Sequence, residues 1–201
     1  DDKKVSVKDN SILELNLESQ IVDYAPKSSD PFAEILNMEE GKRGLQEILN
    51  ARENAKTDDK IKGISINTLY VNAGMAQVQA IRDKLMEFKE SGKFIYAYSE
   101  FYSEQTYYLA SVADSVYFPP SGMLEFNGLV ANRMYYTGLF EKLEIQPEVF
   151  RVGTYKSAVE PYFEKEMSPA SKLQTEALLG DLWGTFTEAV SVSRGCCWWW
   201  L

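Results

Sequence analysis

No histidine occurs among the 201 residues. That absence removes the Ser–His–Asp triad, the Cys–His dyad and every histidine-ligated metal site from this chain. Any general base here must be a carboxylate or a lysine, or must come from another chain or segment. Only two cysteines are present, adjacent at Cys196 and Cys197. They provide neither a disulfide framework nor zinc-ligand spacing. Nor does any stretch approach the roughly 18 apolar residues of a membrane span, and no signal-peptide core opens the sequence. Phosphate-cradling glycine loops of the G-x-G-x-x-G or Walker type are also missing, so nucleotide binding has no support. No metal and no cofactor is expected.

Cations are in the minority. Thirty acidic residues against 21 basic ones give a net charge of -9. With no basic stripe interleaved with aromatics, nucleic acid is not expected as a partner. Carboxylate pairs such as Glu39/Glu40 and Asp58/Asp59 fit a solvated surface better than acid–base work. What remains is ordinary globular material, 45% hydrophobic and 25% charged, long enough to bury a sizeable core.

Strand and helix signals alternate along the chain. Ser11–Leu17 alternates apolar and polar residues as a strand does, and 25–31 reads as a Pro/Ser/Asp loop. Leu45, Ile48, Leu49 and Arg52 fall at helical spacing within 44–55. A strand at 61–67 precedes a helix at 74–90, whose Val78, Ile81, Leu85 and Phe88 share one face. Gly92 ends that helix and introduces a strand at 93–98. A helix over 104–113 leads to a strand at 114–118, stopped by Pro119-Pro120. Further on, the pattern predicts a helix at 135–143 and a strand at 146–152. A last helix opens on Ser168-Pro169, a cap followed by proline in the first turn, and continues to about Val190. This rhythm predicts an α/β domain with a largely parallel sheet and a projecting C-terminal helix. The domain is expected to span 1–195. The closing Cys-Cys-Trp-Trp-Trp-Leu, 196–201, forms neither an amphipathic face nor a turn and is expected to be a non-native or disordered tail.

One stretch stands out chemically. Arg151-Val152-Gly153-Thr154-Tyr155-Lys156-Ser157-Ala158-Val159-Glu160-Pro161-Tyr162 leaves the expected strand, turns on a glycine and offers a lysine. Loops beyond the ends of parallel strands are favoured ligand sites. A lysine becomes a base when burial brings its pKa down toward neutrality, and Tyr155, Ala158, Val159 and Tyr162 are neighbours able to shield it. Spacing alone also allows Lys156 to be one of many basic residues exposed on a loop.

The string from Phe150 to Pro161 resembles the lysine motif of the signal peptide peptidase A family, in its long form with two related halves. Tyr107-Tyr108-Leu109-Ala110-Ser111-Val112-Ala113-Asp114 is similar to the family's Y-Y-L-A-S-x-A helix. Gly128-Leu129, Tyr135-Tyr136 and Met167-Ser168-Pro169-Ala170 follow in the same order, so the likeness runs from about Ile12 to Arg194. It implies a ClpP/crotonase-like α/β fold and a bacterial inner-membrane serine peptidase that degrades spent signal peptides. The membrane span is expected to lie outside this sequence, with the catalytic domain on the periplasmic side. Signal peptides or other hydrophobic peptides are the implied substrates, and a homo-oligomer, a tetramer in the full-length protein, the implied assembly. Lys156 would be the general base, with the nucleophilic serine in the absent C-terminal half. Matching the serine-bearing half's A-S-G-G-Y-Y-I-A string puts Glu104 at the serine position, with Ser103 one residue early. Gln105 and Thr106 replace the two glycines. The isolated fragment is therefore expected to be inactive. Two other readings stand beside this one: a crotonase-type acyl-CoA hydratase or isomerase, with Glu104 as a carboxylate, and a non-catalytic oligomerisation or peptide-binding domain.

Overall fold

The computed structural model describes residues 7–25 and 42–195. The chain's first residues, most of the 25–31 loop, the Glu39/Glu40 pair and the 196–201 tail lie outside the described residues. Residues group into two compact units, one of 1–127 together with 189–201 and one of 128–188.

The first unit is built on a four-stranded parallel sheet. Its strands are β1 (Ser11–Leu15), β4 (Ile61–Asn67), β5 (Phe94–Tyr98) and β7 (Ser115–Tyr117), side by side in that order. Between β1 and β4 come the short β2 (Gln20–Val22) and β3 (Lys42–Gly44), which pair with each other, and α1 (Leu45–Thr57). Helix α2 (Met75–Lys89) joins β4 to β5, and α3 (Glu104–Ala110) lies between β5 and β7. A third small pair, β6 (Phe101–Tyr102) with β8 (Met123–Leu124), completes the unit. The expectation of an α/β domain with parallel strands and helical crossovers holds.

The register assigns each sheet residue to a face. Leu15, Ile64, Ile66, Ile95 and Ala97 are buried, as are Val78, Ile81, Leu85 and Phe88 of α2. These side chains form the core, and burying one of the large ones is worth about 1.5–3 kcal/mol. The strand-side and helix-side periods of the sequence thus converge on one layer. Gly63 faces the other way, where an added Cβ would stand 2.4 Å from the Phe94 ring. Glycine is required there by close approach.

Polar side chains tie the crossovers. Lys93 Nζ donates to the carbonyls of Ala55 and Asp58, both at 2.7 Å, satisfying the exit of α1. Asp114 donates its amide to the Ile95 carbonyl and accepts the Ile95 amide on its carboxylate, both at 2.8 Å. Helix α3 is expected to reach 113 but ends at Ala110. Its last bonds tighten to i→i−3, because Asp114 is already committed to the sheet.

The second unit holds α4 (Thr137–Lys142), a 3-10 helix (Ser157–Tyr162) and the greater part of α5 (Pro169–Arg194), 26 residues long. Helix α4 starts later than its pattern suggests, since the Tyr136 amide is taken by the Pro161 carbonyl at 2.7 Å. The strand expected at 146–152 does not form. Phe150 and Val152 are 91% and 87% exposed and no described segment pairs with theirs. An apolar run without a ladder partner has no reason to be a strand. No helix among the described residues is long and apolar enough to cross a membrane.

Candidate active site around Lys156

Lys156 sits at the entrance to the 3-10 helix, as its N-cap residue. Its amide closes a turn onto the Gly153 carbonyl at 3.4 Å. Gly153 has φ 92°, a left-handed conformation that a β-carbon would strain. The side chain of Lys156 is exposed, and it takes no part in an ion pair with a described residue.

Four residues on, Glu160 is fully buried. Its Oε1 accepts the Ser168 hydroxyl at 2.6 Å, its Oε2 accepts the Ser168 amide at 3.4 Å, and Arg151 Nη1 lies 3.6 Å from Oε1. Burial pushes this carboxyl up. Hydrogen bonds from Ser168 and Ser171 and the Arg151 charge outweigh burial and hold it below the usual carboxylate range. Arg151 in turn lies 5.0 Å over the Phe163 ring.

Ser168 serves both sides. Its hydroxyl oxygen accepts the Ser171 amide at 3.2 Å, capping α5 as the Ser-Pro signal predicts, while its proton goes to Glu160. Tyr162, stacked on Tyr136 with ring centroids 6.0 Å apart, fixes the far end of the 3-10 helix. The lysine turn is therefore short and pinned at both ends. Sequence reading missed Glu160, Arg151 and Ser168 as an anchoring set. The available signal was a glutamate inside the short 3-10 segment, eight residues before the serine that caps the next helix.

Ser103 and Glu104 belong to the first unit, Lys156 to the second. Ser103 is the N-cap of α3: its Oγ accepts the Thr106 amide at 3.3 Å and lies 3.1 Å from the Thr106 hydroxyl. Glu104 Oε1 accepts the Asn127 amide at 3.4 Å. Gln105 donates to the Ala73 carbonyl at 2.8 Å, and Thr106 is buried. Each side chain at the positions aligned with the serine and glycines thus has a local structural engagement. Among the described residues, no group of three or more Asp, Glu, Cys or His stands close enough to hold a metal.

A sequence profile of peptidase family S49 matches residues 87–197. The chain is 40% identical to a protein named Protease 4 from Salmonella typhi over 151 residues, which is 75% of this chain and 24% of that protein. It is 33% identical to Protease 4 of Haemophilus influenzae over 198 residues, 96% of this chain and 32% of that one. A chloroplastic serine protease SPPA from Arabidopsis thaliana is 31% identical over 141 residues, 70% and 21% of the two chains. The chain thus spans between 21% and 32% of the length of these relatives.

Proposed function

Since the chain belongs to peptidase family S49, we propose that it is the lysine-bearing half of a serine peptidase of the Ser–Lys type. Lys156 is its general base, and the nucleophilic serine belongs to a segment outside this sequence. The observation that carries the reading is the exposed lysine, without an ion-pair partner among the described residues, on a turn pinned by Gly153 and by the buried Glu160 network. A base must be held in place yet reachable, and this turn provides both.

An exposed ammonium is a poor base, so its surroundings must change for it to work. Phe150, Val152 and Tyr155 next to it are exposed apolar side chains. In the complete enzyme the serine-bearing half covers them and excludes water from the amine. Neutral Lys156 then takes the proton of the serine hydroxyl as the oxygen attacks the scissile carbonyl. The ammonium gives that proton to the leaving amine, and the acyl-enzyme is released by water activated at the same amine. The substrates are spent signal peptides and similar hydrophobic peptides. The full-length protein is anchored in the bacterial inner membrane, faces the periplasm and assembles as a tetramer.

The test is the full-length protein with Lys156→Ala, assayed on a hydrophobic peptide beside a Lys156→Arg variant. Both are expected to lose at least about 100-fold in kcat, the span of a general base. Hydrolysis at near wild-type rate in Lys156→Ala overturns the assignment.

A further inference from the structure

Lys156 makes no ion pair with a described residue, so its own side chain does not fix where the amine points. That direction comes from the backbone of the turn, and the flanks of the turn are tied through one carboxylate. Arg151 and Glu160 stand on either side of Lys156 in the sequence, and their pairing at 3.6 Å closes the loop that carries it. Glu160 also accepts hydrogen bonds from the hydroxyl of Ser168, the N-cap of α5, at 2.6 Å, and from that of Ser171 in the first turn of the same helix. Ser171 is fully buried, and its oxygen accepts Arg133 Nη1 at 2.9 Å. The segment holding Arg133 grips the same stretch twice more. The Tyr136 amide donates to the Pro161 carbonyl at 2.7 Å, and the Thr137 hydroxyl donates to the Glu164 carbonyl.

Two serines and two arginines thus converge on a carboxylate that water does not reach. It lies at the amino end of a 26-residue helix, whose partial positive charge favours an anion there. A buried polar network whose members are satisfied is rigid, and its members act together. The whole network belongs to the second unit. We propose that Arg151, Ser171 and Arg133 act through Glu160 as positioning residues for Lys156. The network sets where the turn presents the amine to the serine hydroxyl, and so contributes to kcat and not to peptide binding. Glu160 and Ser171 have no exposed surface with which to meet a substrate, so their effect passes through the turn. The inference rests on Lys156 as the base and assigns that base its supporting residues.

The experiment measures kcat and KM separately on a hydrophobic peptide for Arg151→Met, Ser171→Ala and Arg133→Met in the full-length protein. Circular dichroism and Tm report folding, and Arg133, at the exposed end of the network, decides where a buried replacement does not fold. Each variant is expected to lose about tenfold in kcat, since misplacing a catalytic group by about 1 Å costs up to about a hundredfold. KM should stay within about twofold of wild type. Arg151→Met combined with Ser171→Ala should lose far less than the product of the single losses, because both act through one carboxylate. On a Lys156→Ala background, Arg151→Met should lower the residual rate no further. Unchanged kcat in the network variants, a loss confined to KM, or a further loss on the Lys156→Ala background overturns the proposal. If Lys156→Ala loses its rate while the network variants keep theirs, the positioning role falls and the base stands. If Lys156→Ala keeps its rate, the base falls and takes the positioning role with it.

Discussion

Glu160 and Ser168 grip each other twice, through a hydroxyl at 2.6 Å and an amide at 3.4 Å, and so join the lysine turn to the first turn of α5. The link spans eight residues but fixes two elements at once. Whatever Lys156 does depends on this joint, since among the described residues no other buried, charged side chain holds the turn.

Glu160→Ala is expected to loosen the turn more than to unfold the chain. It strands the Ser168 hydroxyl and amide and leaves Arg151 with only the Phe163 ring. Losing a buried, hydrogen-bonded charge costs about 2–4 kcal/mol. Tryptic cleavage after Lys156, an exposed site, should then rise by at least about thirtyfold, because a 1.4 kcal/mol change in local opening is worth about tenfold. Peptide mapping over time reads it directly, and an unchanged cleavage rate would show that the joint is ornamental.

Acid should attack the two units through named carboxylates. Burial raises Asp114, but the Ile95 amide and Lys89, 2.9 Å away, bring it below the ordinary aspartate value, just as Glu160 lies below the glutamate value. A carboxyl depressed in the folded state binds fewer protons than its unfolded counterpart, so stability rises with pH across that window. The contribution is complete above about pH 5, beyond the ordinary carboxyl range, and fades as pH falls through the depressed values. Thermal melts should therefore show the gap between the parent and Asp114→Asn shrinking from pH 6 to pH 3. A gap that stays constant would assign Asp114 a purely neutral role.

The elements that sequence pattern predicts well are those whose period and core face coincide. Val78, Ile81, Leu85 and Phe88 announce α2, and Ile64, Ile66, Ile95 and Ala97 build the sheet layer opposite. The pattern fails where structure depends on a partner. The 146–152 run has strand composition, but Phe150 and Val152 find no ladder, and a ladder is a property of two segments. The short β2–β3 and β6–β8 pairs escape notice for the converse reason, since two or three residues carry no period. The lysine turn itself stands out in the sequence as a motif. Its anchor does not, because Arg151, Glu160 and Ser168 converge only once the turn is folded.

Arg82 tests whether a buried cation can act as a hub. It occupies a core-facing position of α2 beside Ile81, is nearly inaccessible, and donates to the Tyr108 carbonyl at 2.7 Å and the Ser111 hydroxyl at 3.0 Å. Its other amino group donates to the Ala189 carbonyl at 3.0 Å and the Ser193 hydroxyl at 2.6 Å, and its guanidinium lies 4.8 Å over the Tyr108 ring. A planar fork reaches four acceptors on α3 and on the end of α5. The ammonium of a lysine, a point charge with different geometry, does not. Arg82→Lys is expected to cost about 2–3 kcal/mol in urea unfolding, nearly as much as Arg82→Met. Full rescue by lysine would mean that charge, not the fork, is what matters.

Arg52 is the opposite case, a buried cation without a hydrogen-bond partner among the described residues. It stands at a core-facing position of α1, 2% exposed, and none of its three guanidinium nitrogens finds a hydrogen-bond acceptor among the described residues. Burial alone drags its pKa down from 12.5 to about 9. An arginine keeps its proton at neutral pH even so, which means that the described residues enclose a buried charge they do not compensate. Replacing it by an unbranched apolar side chain of similar reach removes that desolvation cost and keeps the packing of the stem. Arg52→Met should therefore stabilise the chain by about 1–3 kcal/mol, raising Tm by several degrees in calorimetry. The helix position itself gains nothing from the change, since arginine and methionine have similar helix propensity, so the shift reads the buried charge and little else. A fall in Tm would reverse the argument: Arg52 would then be contributing an interaction worth more than its desolvation, and its acceptor would have to come from outside the described residues.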